Sequence, residues 1–530
     1  MGSGAAVSRR ACLVAAATAA AWPLAACTRQ PTPLLQGGWV GAAHERGHRL
    51  RQPPPSAAGA RQRRASVLVV GAGIAGLAAA RGFQRAGVDD VQLLELEDQP
   101  GGNSRGHRMG GMACPLGAHY LPLPGPAAHE VSDWLHEIGL LRQVLGRTVA
   151  DERHLCHSPQ ERLFFEGAWH EGLLPPADPA SVTMAQYRAF AAQVAAAPGF
   201  AVPRQRAVWT AEHAALDGQT FDHWLRRQGL NDERLRWYLD YCCRDDYGAG
   251  LDQVSAWAGL HYFGSRHGFQ AAGDADGERD AVLTWPEGNA WLVQRLAQPL
   301  AGRIHGGRIV ARVTEQRHAV EVLAWHDTGV EAWSADTVVL ALPLFVAQRV
   351  LERPPDALRQ AAAATRYAPW LVANLQLDKP LLDRPGVPPA WDNVVYASQA
   401  LGYVDAMHQS LRPYAGATVL SAYSALPAAG RAALLQQPWS VWAGQVLDEL
   451  EAVHPDLRRR VQRIDLMRYG HAMAIPLPGQ QATAEARLAL RGGCGRLRFA
   501  HADLAGYSVF EEAFTAGCDA AAARLPRCRR

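Results

Sequence analysis

The chain has 530 residues, 48% apolar and 19% charged, with a formal net charge of +3. Such a composition suits a globular protein with roughly two to four domains and a large core, and so small a charge gives no reason to expect a nucleic-acid partner. Nine cysteines are scattered without a C-x-x-C or the His/Cys spacing of a zinc site, so neither a metal centre nor a disulfide framework is expected.

Residues 1–27 read as a leader. Arg9 and Arg10 precede an Ala-rich run of about 16 residues, too short and too weakly apolar for a membrane span. The run Ser8–Leu13 resembles a twin-arginine export signal, and Leu24-Ala25-Ala26-Cys27 resembles a lipobox, whose cysteine becomes the acylated N-terminus. Together they imply export of a folded protein to the periplasmic face of a membrane, with a lipid anchor at Cys27. Residues 28–64, rich in Pro, Gly, Arg and Gln without an apolar period, read as a flexible tether. Two cysteines fall in the leader, which leaves an odd seven. The adjacent Cys242 and Cys243 read as two buried thiols.

The globular part begins with the apolar, β-rich Ser66–Val70, followed at once by Gly71-Ala72-Gly73-Ile74-Ala75-Gly76 and the helix-forming run Leu77–Ala86. This is G-x-G-x-x-G in its strand–turn–helix setting. Gly71 serves the tight turn, Gly73 the approach of backbone to a pyrophosphate, and Gly76 close helix–strand packing. Ile74 and Ala75 open the helix whose N-terminus faces the phosphates. A second strand, Val91–Glu95, ends in Glu95 nineteen residues after Gly76, where a carboxylate accepts hydrogen bonds from ribose hydroxyls and repels a 2′-phosphate.

Glu95 and the following Gly101-Gly102-Asn103-Ser104-Arg105 match E-x(5)-G-G-x-x-R, and on this motif the chain resembles the flavin amine oxidase and phytoene desaturase group. Further segments carry the resemblance. Gly117-Ala118-His119-Tyr120 resembles G-A-H-W/Y beside the flavin, and Arg308–Val313 resembles the adenine strand, with Val310 at the contact position. Ala335–Pro343 resembles A-D-x-V-V-x-A-x-P. Arg496–Asp503 resembles R-x-x-F-A-G-x-E, with Asp503 as the acid, and Phe510–Gly517 resembles the closing helix. The resemblance implies FAD, held by Gly71, Gly73, Ile74, Ala75, Gly76, Glu95, Gly101, Gly102, Arg105, Gly117, Ala118, His119, Val310 and Asp503. It implies an α/β fold: a Rossmann-like FAD-binding domain with an interleaved α+β substrate domain. The expected segments are 65–150, 275–345 and 460–527 for FAD, and 151–274 and 346–459 for substrate, with a helix over 221–242 and another over 440–452.

The helpers of the family's amine-oxidising members are missing from their expected places. Val372 falls where a lysine near flavin N5 is expected, and the only lysine is Lys379. The positions of the two aromatic residues that sandwich an amine fall on Ala472 and Val509. His471, the one candidate for a catalytic role, falls where some members bond a cysteine to the flavin. It allows a covalent link, a place beside flavin N1–C2=O, or a plain hydrogen-bonded loop histidine. Glu287 and Asn289 face the cleft, or Asn289 caps a helix. Asp245 and Asp246 read as a site for a cationic substrate, as a solvated turn, or as part of an internal salt bridge. Three functions follow as expectations. One is removal of a hydride from a C–N or C–C bond of a small organic molecule, with oxygen or a membrane-associated acceptor as oxidant. The others are desaturation or isomerisation of an apolar substrate, and a flavin-bearing lipoprotein without turnover.

Overall fold

Two sheets carry the architecture in a computed structural model that describes residues 35–197, 199–266, 268–271, 281–410 and 416–523. The first is the dinucleotide sheet. Its order runs Ile304–His305, Val91–Leu94, Arg61–Val70 and Gly329–Leu340, all parallel, with Leu497–Phe499 parallel to the last. The antiparallel Val320–His326 and Ile309–Glu315 extend the far edge. The central strands are apolar on both faces, since helices cover both sides of a parallel sheet. The helix Ile74–Arg85 packs against Phe510–Ala522 through small residues: a Cβ on Gly517 would stand 2.3 Å from the Ala75 carbonyl.

The second sheet has eight strands in the order Gln36–Trp39, Val461–Ile475, Arg366–Leu377, Thr418–Ala425, Tyr403–Asp405, Asp392–Val395, Glu161–Phe165, Ala168–Glu171. The helices Val182–Ala196, Phe221–Arg227, Glu233–Tyr247 and Ala256–Gly264 pack an aromatic-rich core against it, including Phe190, Phe221, Trp257 and Phe263. No helix among the described residues is long and apolar enough to cross a membrane.

Four expectations need correction. The leader and Cys27 lie outside the described residues, but the expected tether carries folded elements from Gln36 onward. Trp39 is in a strand, His44–His48 is helical, and the first dinucleotide strand starts at Arg61, not Ser66. Charge hid this extension. Arg61–Ala65 pairs with Glu331–Ala335, and Arg63 meets Glu331 (3.1 Å) and stacks over Trp333. Val461–Ile475, expected in the FAD segments, is a strand of the second sheet and pairs with Arg366–Leu377. The helix expected over 221–242 is two helices, broken where Gly229 takes φ +73° and Asp232 caps Glu233–Tyr247. Asn289 precedes the helix Ala290–Ala297 but makes no side-chain cap bond. Its amide donates to the Tyr120 carbonyl instead (2.9 Å).

Candidate active site

Two glycines shape the turn after Arg61–Val70. Gly71 has φ +99°, and a Cβ there would stand 2.4 Å from the Ala341 carbonyl oxygen. At Gly76 a Cβ would stand 1.9 Å from the Gly71 carbonyl oxygen, so helix and turn close only around hydrogen. The helix Ile74–Arg85 has no side-chain cap at Gly73, which leaves its first N–H groups for an anion. Glu95, only 7% exposed, accepts N–H bonds from Ala72 (2.7 Å) and Glu97 (3.0 Å). Those bonds fix the carboxylate while each oxygen keeps lone-pair capacity for a hydroxyl. Burial pushes its pKa up, opposed by the two N–H donors.

A cavity of about 1050 Å³ runs from this turn to the second sheet. Every predicted site residue except Gly76 and Arg105 borders it. Gly76 acts from behind, through the packing just described. Arg105 also lies behind, its Nε donating to the Gly102 carbonyl (3.1 Å) and its Nη1 4.0 Å from Glu97. Asp503 is buried and accepts from the Leu344 N–H (3.1 Å) and the Tyr367 hydroxyl (2.5 Å). Burial alone would raise its pKa, but His501, Tyr367 and Leu344 hold it below the ordinary range, so it stays ionised.

The cavity therefore offers fixed carboxylates for sugar and sugar-alcohol hydroxyls, Glu95 and Asp503, and an uncapped helix start for phosphates. That donor and acceptor set fits FAD. The family model of flavin containing amine oxidoreductases matches residues 74–524. The chain belongs to this family. It is 27% identical over 286 residues to polyamine oxidase 4 of Oryza sativa subsp. japonica, covering 53% of this chain and 52% of that protein. To an L-amino acid dehydrogenase of Synechocystis sp. it is 24% identical over 308 residues, covering 57% and 61%. The chain thus spans about half the length of the curated relatives it matches. Among solved structures, cyclohexylamine oxidase from Brevibacterium oxydans is similar with a TM-score of 0.64 at 18% identity, over 87% of this chain and 98% of that one. A putrescine oxidase bound to putrescine gives 0.63 at 18%, over 87% and 99%. At these identities the likeness is one of fold.

The cavity's far wall is aromatic and acidic. Register explains the aromatic part. Trp370 pairs with Tyr469, and Val372 with Tyr423, so these side chains share one face of the second sheet, and all four border the cavity. The three helper positions, Val372, Ala472 and Val509, border it too. The aromatic surface there comes from Trp370, Tyr423 and Tyr469. His119 stacks on Tyr423 at 4.4 Å and lies 5.5 Å from Trp391, and burial pushes its pKa down to about 4.

The acidic part comes from distant segments. Asp245 and Asp246 end the helix Glu233–Tyr247, and Asp392 stands opposite Glu161 in the parallel register of two strands. All four border the cavity. Burial, reinforced by Asp246, raises Asp245 to about 7, and burial raises Asp246 to about 6 despite Arg266. Burial, then Asp245 and Glu161, hold Asp392 well above the carboxylate range. Arg266 is at the same end, paired with the buried Glu511 (3.1 Å). Of the three readings left open for Asp245 and Asp246, their place on the cavity wall excludes the solvated turn. Glu161 and Asp392 carried no signal, because their approach depends on strands far apart in sequence. Asn289 also borders the cavity, and its Oδ1 is buried without a partner.

His471 stands where Val461–Ile475 bulges, between the pairs Ala368–Met473 and Trp370–Tyr469. The bulge turns its ring against Phe345 (4.7 Å) at the cavity border. Burial on that side, with Arg431, His48 and Arg51, pushes its pKa down to about 4.

Proposed function

We propose that this chain is an FAD-dependent oxidoreductase that oxidises a C–N bond of a small cationic amine, removing a hydride from the carbon bonded to nitrogen. The observation that carries this reading is the polarity of one cavity: Glu161, Asp245, Asp246 and Asp392 gather at the end away from the Gly71–Gly76 turn. Carboxylates crowded in this way favour a bound cation, which relieves their mutual repulsion. FAD, when bound, supplies the hydride acceptor. The protein supplies position and exclusion of water. The carboxylates hold the ammonium or a second charge of the substrate, and Trp370, Tyr423, Tyr469 and the His119 ring wall the carbon chain. Oxygen or a membrane-associated acceptor takes the electrons onward. A polyamine oxidase among the relatives and a putrescine-bound oxidase among the similar folds agree with this substrate class.

Anaerobic mixing with a panel of amines tests the proposal. Rapid bleaching of the flavin's visible absorption by amines is expected. If amines leave the colour intact while an apolar C–C substrate bleaches or is isomerised, the second reading replaces it. That reading draws on Val372, Ala472 and Val509, which are apolar where amine-oxidising members carry their helpers.

We also propose, from Arg9-Arg10 and Leu24–Cys27 alone, that the chain is exported by the twin-arginine route and anchored through a lipid on Cys27. Labelling with a radioactive fatty acid, lost on Cys27→Ala, checks the anchor.

A further inference from the structure

The segment 37–52 precedes the family match, which starts at residue 74, yet it crosses the cofactor cavity as a strap. One end is fastened to the second sheet. The Val40 N–H donates to the Leu466 carbonyl (2.8 Å), and Arg468 stacks over Trp39 (4.3 Å) while donating to His44 (3.0 Å). The middle is fastened to the loop after Glu95. The Ala43 N–H donates to Glu97 (3.2 Å), and Arg46 donates to the Leu96 carbonyl (3.2 Å) and to Asp98 (2.8 Å). The other end is fastened to the dinucleotide lobe. Arg349 donates to the Leu50 carbonyl (3.0 Å), and Arg49 stacks over Trp325 (4.7 Å).

Between these anchors Gly47, His48, Leu50 and Arg51 form part of the cavity wall, which Arg308 and Arg349 also join. Arg51 makes no ion pair among the described residues; Arg308 pairs with Glu331 through Nη2 (3.4 Å), and its Nε is buried without a partner. Arg51, Arg308 and Arg349 thus border the cavity on the strap's flank, while the carboxylates gather at the substrate end. An anion is the ligand that such a flank favours, and a dinucleotide carries one in its diphosphate.

We propose that residues 47–51 complete the cofactor site, Arg51 adding positive charge for the FAD diphosphate and the neutral His48 ring adding wall, while the strap closes the cavity's flank. This rests on the FAD reading of the site. The strap is wall as well as charge, so it slows escape of the cofactor.

The test is the rate of flavin release from the holoenzyme on dilution, followed by the fluorescence of free FAD, in wild type, Arg51→Glu, Arg51→Lys and Arg46→Ala. Arg51→Glu is expected to release FAD roughly tenfold faster at low salt, by loss of a charge-assisted contact, with the gap narrowing as salt rises. Arg51→Lys stays near wild type, and the apoprotein melting temperature of Arg51→Glu is unchanged because the side chain is exposed. Arg46→Ala, which unfastens the strap from the Glu95 loop, also speeds release. Equal release from Arg51→Glu and wild type, or a gap that salt does not alter, overturns the proposal. Wild-type protein that never binds FAD overturns the cofactor reading instead.

Discussion

His119 and Tyr423 stack face to face, ring centroids 4.4 Å apart and 24° from parallel, and join the two lobes inside the cavity. His119 comes from the segment beside the dinucleotide sheet, and Tyr423 from the second sheet. The Tyr423 hydroxyl closes the joint by donating to the Gly117 carbonyl (3.2 Å).

Replacing His119 tests that role. Burial holds its pKa near 4, so the ring is neutral at neutral pH. His119→Phe keeps the stack and is expected to leave the pH profile of kcat between pH 6 and 8 unchanged. His119→Ala removes the stack, costs about 0.5–1.5 kcal/mol of stability beyond the lost area burial, and raises KM more than it lowers kcat. Steady-state kinetics and thermal melts read both.

Glu95→Gln keeps the shape but loses one acceptor, so either the Ala72 or the Glu97 N–H faces an amide NH₂. FAD binding should weaken roughly 10- to 150-fold, the range for one charged hydrogen bond. Titration of apoprotein with FAD, read by quenching of flavin fluorescence, measures it.

Gly76→Ala is more severe. Its methyl would lie 1.9 Å from the Gly71 carbonyl oxygen, and no flexible side chain stands there to yield. The helix must move off the turn, so colourless protein with a lowered melting temperature is expected. The ratio of flavin to protein absorbance reports it directly.

Asp245 yields opposite signs for stability and binding. Its folded pKa, about 7, exceeds the ordinary 3.8 because of burial and Asp246. The native state therefore holds more protons than the unfolded chain between these values, and stability falls as pH rises through that window. Asp245→Asn should raise the melting temperature at pH 8, with the gain fading towards pH 4. The charge that attracts a cation is present above about 7, so wild-type affinity for a dicationic competitive inhibitor rises with pH, and the variant flattens that rise. An Asn variant that is less stable at pH 8 would sink the argument.

Much of the cofactor half was legible because its signals are local. A glycine turn, the helix it starts and an acid at the next strand end obey steric rules within some thirty residues, and Gly71, Gly73 and Glu95 do line one cavity. The middle segments were harder. Nothing in the composition of Val461–Ile475 says which sheet it joins, because strand pairing is decided by partners about a hundred residues away. The strap was misread for a related reason. Arg46, Arg49 and Arg468 look like solvated charges until Leu96, Trp325 and Trp39 are brought to them.

By itself the sequence determined the family, the dinucleotide turn, its acidic partner, and the absence of lysine from the flavin-facing strand. Each is a matter of residue type at fixed local spacing. Only the tertiary structure decided that Asp245, Asp246, Asp392 and Glu161 share a cavity, that Trp370, Tyr423 and Tyr469 form its wall, and that residues 47–51 border it. Burial and the proximity of like charges are properties of chain segments folded together, and no local pattern encodes them.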